Sequence, residues 1–262
     1  MELILQDGAN MIKFENTQVW GFEHALRGMR NPLNSHHKAD SKLCTKLPDA
    51  ACEKCRFYKF KDNNHTCTNT VFHTINVNGK PTVGKYIIGE ADFDLAKRLA
   101  KAGRAHRKYL RQIFVSVDFV SPMYFLKEFD TYKIGTVSNS SSTMYKVIDL
   151  NREFCMEDFS YDQLTKDDDM YCSVAGKDIL LILIDNLNEF REAYIQTRDK
   201  KYWYNIIQLL PSSYHYRRTV TLNYEVLANI YHDRKDHKLN EWHEFCKWIK
   251  SLPYSELITG ED

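Results

Sequence analysis

Strand signals and helix signals are segregated along this chain. From Ile179 onward, apolar residues recur at helical spacing in four successive segments, Ile179–Thr197, Trp203–Leu210, Tyr224–Asp233 and Leu239–Ser251. Pro211 and Pro253 follow the second and fourth, where a helix has to stop. The strand signals come earlier. Thr70–Val77 and Thr82–Ile88 flank Asn78-Gly79, a pair that tolerates the positive φ of a tight hairpin turn. Ile113–Val120 alternates like a strand, and Pro122 opens a helix that runs through Phe129. Glu2–Leu5 reads as a short first strand. Thr17–Met29 reads as a helix on the spacing of Val19, Trp20, Phe22, Ala25, Leu26 and Met29. Asp92–Ala102 reads as another, stopped by Gly103. Strands first and helices later specify an α+β fold rather than alternating βαβ units.

The length of 262 residues fits one large domain, with residues 31–89 as an insertion rich in Pro, Asn, Ser, Asp, Cys and Lys. Hydrophobic residues at 43% are enough for a core, which excludes wholesale disorder. A formal charge of +1 gives no global field to select nucleic acid or a membrane surface. No apolar run is long enough to span a bilayer, and the N-terminus lacks the basic and apolar regions of a secretory signal. Seven cysteines without such a signal point to reduced thiols and a cytoplasmic setting. Local charge is another matter. Between Lys97 and Arg111 lie seven cations and no acid, which suits either a solvated helix face or an anion-facing surface.

Three clusters carry candidate chemistry. After the Pro122 helix, Thr136, Ser138, Asn139, Ser140, Ser141, Ser142 and Thr143 crowd a polar loop with hydroxyls and an amide, the groups that phosphates and base edges require. Leu210-Pro211 leads to His215, Arg217 and Arg218 between two helices; an arginine fork suits phosphate, and a surface loop with one salt bridge is the plainer reading. Cys52-Glu-Lys-Cys55 has the spacing of a zinc knuckle, and Cys44, Cys67 or His65 would complete a tetrahedron. Unliganded thiols in a loop, or redox or disulfide use, are the plainer alternatives. His232 and His237 lack the spacing of a zincin helix, and no Gly-rich dinucleotide loop, P-loop, nucleophile elbow or nucleic-acid-binding motif is present.

In their order along the chain these segments resemble the flavin-dependent thymidylate synthases. The family signature, Arg-His-Arg-x-x-Ser-x-Asn-x-x-Ser-x-Arg-Tyr, is similar to Thr131-Tyr132-Lys133-Ile-Gly-Thr136-Val-Ser-Asn139-Ser-Ser-Ser142-Thr-Met144-Tyr145, with one residue inserted before Asn139. Ala105-His106 resembles the family's Gly-His or Ser-His element, and Gln112–Ser116 its flavin-approaching strand. Leu210-Pro211, Arg217 and Asn223 match a later motif without a gap, followed by Asn229 and Arg234 on a helix. The resemblance implies a mixed sheet flanked by helices in a homotetramer. It implies FAD as cofactor, NADPH and methylenetetrahydrofolate as cosubstrates, and one-carbon transfer to C5 of dUMP or a related pyrimidine nucleotide. It also implies roles. Lys133, Asn139, Ser142, Tyr145 and Arg217 would bind the nucleotide, and His106, Gln112, Ser116, Asn229 and Arg234 the flavin. No catalytic side chain is singled out, because the flavin carries the chemistry. Cys44, Cys52, Cys55 and Cys67 stand apart as a candidate structural zinc set.

The departures define the rival expectation. Thr131, Tyr132 and Lys133 stand where the signature has Arg, His and Arg, and Met144 where it has its last Arg. Lysine keeps the charge but loses the fork. A substrate other than dUMP, or a non-catalytic nucleotide-binding or interaction protein on the same fold, are therefore the alternatives. A third is an interaction protein built around a zinc-stapled cysteine segment.

Overall fold

The computed structural model describes residues 12–44, 52–53, 55–61, 63–69, 71–77, 80–142, 144, 152–165 and 171–261. The strand expected at 2–5, the Asn78-Gly79 turn itself and Tyr145 lie outside the described residues. The strands are β1 (Lys13–Trp20), β2 (Lys42–Cys44), β3 (Tyr58–Lys61), β4 (Asn64–Cys67), β5 (Phe72–Val77), β6 (Lys80–Ile87), β7 (Phe114–Pro122), β8 (Val137–Ser140) and β9 (His215–Asn223). The helices are α1 (Phe22–Met29), α2 (Glu90–Lys101), α3 (Met123–Phe129), α4 (Gly176–Thr197), α5 (Lys200–Leu209), α6 (Tyr224–Arg234), α7 (Asn240–Ser251) and α8 (Glu256–Thr259). The fold is α+β, as the segregated signals require. One sheet has the order β1-β7-β9-β8, a second β2-β6-β5, and β3-β4 is a separate hairpin. β5 and β6 pair antiparallel from Phe72 opposite Lys85 to Val77 opposite Lys80, so the expected hairpin is present.

The chain forms two compact units, each drawn from separate stretches of sequence. The first comprises Met1–Glu15, Asp118–Lys133 and Ser138–Val220. Its core gathers Phe154, Phe159, Leu180, Ile184, Leu187 and Ile206. Asn188 on α4 pins the preceding segment by accepting from Phe154 N at 2.8 Å and donating to Phe154 O at 3.0 Å. Phe119 meets Phe129 edge-on at 5.4 Å between centroids, adding a second apolar layer under α3.

The second unit comprises Asn16–Val117, Ile134–Val137 and Thr221–Asp262. Phe22, Leu110, Ile113, Tyr224, Trp242 and Phe245 are fully buried there. Tyr224 N donates to Ile113 O at 3.0 Å, so the first turn of α6 is tied to the start of β7. Tyr109 Oη donates to Ala96 O at 2.8 Å, which fixes the 3-10 helix Arg107–Gln112 against α2. Arg30 and Asp92 form a buried ion pair, Nε to Oδ1 at 2.6 Å with side chains only 4% and 2% exposed. The second Asp92 oxygen accepts from Ser41 N at 2.9 Å and from Ser41 Oγ at 2.5 Å. Burial alone would raise the Asp92 pKa. The bonds from Ser41 and Arg30 outweigh it, and the net shift is downward.

Three expectations need correction. Thr17–Met29 is not one helix: Thr17–Trp20 end β1, and the helix begins at Phe22. Gly21, at φ 96°, makes the break, and a Cβ there would lie 2.1 Å from Gln112 O. The segment after Pro211 is not a surface loop but β9, with Tyr216, Val220 and Leu222 facing inward. The hydroxyl-rich segment is a loop only in part, because Val137–Ser140 form the exposed strand β8.

Candidate functional site

In the first unit the main chain joins the polar segment to Arg217. Ser141 N, one residue past β8, donates to Arg217 O at 2.9 Å on β9. This places Asn139, which is exposed, and Ser142, which is half-buried, beside the strand that carries Arg217. Alternation on β9 puts Arg217 and Thr219 on the face opposite Tyr216 and Val220. Arg217 Nη1 donates to Glu15 Oε2 at 2.7 Å, and Thr219 Oγ1 to Asp118 Oδ1 at 2.6 Å. Both Arg217 and Glu15 are about half exposed, so water screens their pair and an arriving anion can compete for the guanidinium. Arg218 takes another course. It is only 13% exposed and forks onto Asp130, with Nη2 to Oδ2 at 3.1 Å. That fork fixes the 3-10 turn Asp130–Tyr132, after which Lys133 stands exposed. Lys133, Asn139, Ser142 and Arg217 thus all belong to this unit, and β8 and β9 bring the last three together.

The second unit holds the other predicted set, of which Asn229 and Arg234 lie on α6. Glu225, 6% exposed, is flanked by two arginines of the 3-10 helix. Arg107 Nε lies 3.0 Å from Glu225 Oε2, and Arg111 Nη2 lies 3.9 Å from Oε1. At 3.0 Å Arg107 Nε and Glu225 Oε2 are close enough for charge attraction but lack the alignment of a hydrogen bond, leaving both atoms with unused bonding capacity. Arg107 Nη2 donates to Asn229 Oδ1 at 2.9 Å. With that oxygen occupied, the Asn229 amide nitrogen is the group left to donate to a ligand. Ser116 Oγ accepts from Thr221 Oγ1 at 3.3 Å. Gln112 is exposed, with its carbonyl against Gly21 and its Oε1 over Gly28, and His106 is exposed just before the 3-10 helix. Arg234 sits at the end of α6 with its guanidinium carbon 4.8 Å from the Trp242 ring centroid.

The N-terminus of α6 is closely packed. Asn223 Oδ1 accepts from Val226 N at 3.1 Å as its cap. Gly135, at φ 80°, passes so near that a Cβ would lie 3.1 Å from Val226 Cγ2 and 3.3 Å from Asn223 Nδ2. Glu225 is the residue that sequence reasoning missed. A lone acid on a helix gives no signal, and only the fold brings the basic run around it.

As the side chains stand, no group of three or more His, Cys, Asp or Glu among the described residues is disposed to hold a metal ion. The expected zinc set is therefore not assembled as ligands, although its four cysteines line one cavity.

No family model and no curated protein matches this chain. Solved structures do. The flavin-dependent thymidylate synthase ThyX from Helicobacter pylori, complexed with FAD and dUMP, aligns over 96% of this chain and 99% of its own with a TM-score of 0.58 and 14% identity. A UMP/dUMP methylase, PolB from Streptomyces cacaoi bound with 5-Br dUMP, aligns over 97% and 96% with a TM-score of 0.50 and 10% identity. The chain has the flavin-dependent thymidylate synthase fold. At these identities the likeness concerns the path of the chain and not its side chains.

Proposed function

We propose that this chain is a divergent flavin-dependent enzyme that adds a one-carbon unit at C5 of a pyrimidine nucleotide, dUMP or a relative such as UMP. The observation that carries this reading is the bond from Ser141 to Arg217. It sets the segment that carries Asn139 and Ser142 beside the strand that carries Arg217, which supports the reading, in a fold whose solved examples include complexes with FAD and dUMP. Arg217 would hold the phosphate in exchange for its screened contact with Glu15. Asn139 and Ser142 would address the sugar or base edge, and Lys133 would add a point charge where a fork is missing. Tyr145, outside the described residues, completes the proposed set.

The second unit fits a flavin in kind. Asn229 keeps an amide donor, Ser116 a hydroxyl, and Arg107 an imperfectly bonded guanidinium, all groups that suit carbonyl oxygens and phosphates. His106, Gln112 and Arg234 belong to the same proposal. Bound FAD would supply the reducing electrons, with NADPH and methylenetetrahydrofolate as cosubstrates. The chain's own residues would orient the nucleotide and balance charge. Assembly as a homotetramer is part of this reading. Exposed Ile179 and Ile182, one helical turn apart on α4, offer an apolar surface for it.

The test is a visible absorbance spectrum of the protein as purified, and again after FAD addition and desalting. A retained flavin band that dUMP or UMP perturbs is expected. Absence of flavin in both samples would leave the second reading, a nucleotide-binding protein without catalysis. That reading is favoured by one observation: Thr131, Tyr132 and Lys133 replace the signature's Arg-His-Arg, and Thr131 and Lys133 are exposed.

A further inference from the structure

Cys44, Cys52, Cys55 and Cys67 come from three separate segments. Cys44 ends β2, Cys52 and Cys55 lie in the turn before β3, and Cys67 ends β4. The fold brings all four to the wall of a single cavity. Its water-sized space is about 20 Å³, room for one small ion or water and not for an organic ligand. Cys55 N donates to Cys52 O at 2.7 Å, and Tyr58 N to Cys55 O at 2.9 Å. These bonds curl the Cys-x-x-Cys segment so that both thiols belong to one tight turn. Lys85 is the register partner of Cys44, and its Nζ donates to Cys67 O at 3.3 Å. One lysine thus ties β2, β6 and β4 around the same space. His65, the alternative fourth ligand, is engaged elsewhere: its Nδ1 lies 2.6 Å from Tyr58 Oη, and its ring centroid 5.0 Å from that of Phe60. It does not line the cavity.

The segment needs such a centre. Among the described residues from 52 to 67, Phe57 alone is buried. β3 and β4 are four residues each, and a hairpin of that size is marginal in water without something to hold it. All four cysteines are free thiols, so no disulfide supplies the staple. A buried metal would, because its binding energy is folding energy for a segment without a core.

We propose that Cys44, Cys52, Cys55 and Cys67 form a structural tetrathiolate zinc site that staples the β3–β4 hairpin to β2 and β6. The site goes beyond the flavin reading and does not depend on it. In the absence of metal, the side chains are not gathered at ligand distance. A single torsion places each Sγ on its backbone, and closing the cage would turn the four thiols into the space that they already line. Zinc bonds to sulfur at about 2.3 Å and is tetrahedral in sites with no open position. Binding releases four thiol protons, takes up one Zn²⁺ and leaves a cage of charge −2, with no change of redox state. Lys85, which lines the cavity, supplies nearby positive charge.

Zinc content of the full chain, purified without chelator, tests the proposal together with cobalt replacement. About one zinc per chain is expected in the wild type and in Cys172→Ser, a control outside the cavity. The Cys52→Ser/Cys55→Ser variant should lose it. Cobalt-replaced wild type should show intense thiolate-to-cobalt charge transfer and the strong visible bands of a tetrahedral site. Because the double variant can misfold, the wild-type cobalt spectrum decides independently. No zinc after refolding with Zn²⁺ and no thiolate–cobalt bands would overturn the proposal. So would a mass two hydrogens lighter per cysteine pair, which would mean disulfides. Flavin retention reads out the other proposal separately, so either can fail alone.

Discussion

Arg217 is a side chain on which the fold itself makes little demand. It leaves β9 on the exposed face, and its contact with Glu15 is screened on both sides. Removing it should cost the fold little. A charge-assisted bond to phosphate is worth roughly 1.5–3 kcal/mol, or about 10- to 100-fold in affinity. Arg217→Ala should therefore weaken dUMP or UMP binding by at least that factor in calorimetry, with an unaltered melting temperature. Equal nucleotide affinity in the two proteins would mean that the site is misplaced. Arg218, its neighbour, should respond in the opposite way. Its fork onto Asp130, whose carboxylate is half exposed, holds the turn before Lys133, so Arg218→Ala should lower the urea midpoint, by about 1 kcal/mol of stability, as well as reduce binding. The sequence places the two arginines side by side and makes them look alike. Only the alternation of a strand sends one into water and the other inward.

At the scale of elements, Asp92 ties the first turn of α2 to the end of α1 and to Ser41. Its pKa lies below the ordinary carboxylate value, because the bonds from Ser41 and Arg30 outweigh burial. A depressed folded pKa means stability that is present above about pH 4, the unfolded value, and is lost as pH falls through the folded one. Urea midpoints measured from pH 7 downward should therefore hold near neutrality and decline steeply below pH 4. Asp92→Ala should lose about 3–5 kcal/mol at pH 7, because it leaves Arg30 buried and unpaired, and its acid limb should be flatter. A variant with the wild-type pH profile would show that the pair contributes nothing. The long helices were legible because their apolar stripes repeat over several turns; α4, α5, α6 and α7 all lie within three residues of their expected limits. β9 was equally periodic, with Tyr216, Val220 and Leu222 on one parity, but the Arg-Arg pair and the preceding Pro211 read as a loop. β1 was misread because Val19 and Trp20 also satisfy a helical spacing. The break comes from Gly21, whose necessity lies in a carbonyl some ninety residues away in sequence.

Across the whole molecule, the two predicted ligand sets divide between the two units. Arg217, Asn139, Ser142 and Lys133 belong to one, and Ser116, Asn229, Arg234, His106 and Gln112 to the other. Family order along the sequence was enough to propose both sets. It could not reveal Glu225, whose meaning depends on Arg107 and Arg111 arriving from a distant segment. This division makes the two ligands separable by amide hydrogen exchange. Ordering a site lowers local opening, so the nucleotide should slow exchange in β8 and β9, around 138–142 and 215–219. FAD should slow exchange in the 3-10 helix and α6, at 107–112 and 225–234. Each ligand at about a hundred times its Kd should add about 2.7 kcal/mol of stability, readable as a melting shift of a few degrees. Glu225→Gln offers the cross-check. It removes the charge that holds Arg107 and Arg111, so FAD protection at 107–112 should fall while nucleotide protection at β8 and β9 persists. If FAD instead protected only the β8 and β9 segments, the assignment of flavin residues to α6 and the 3-10 helix would have to be given up, with the nucleotide assignment left to stand on Arg217.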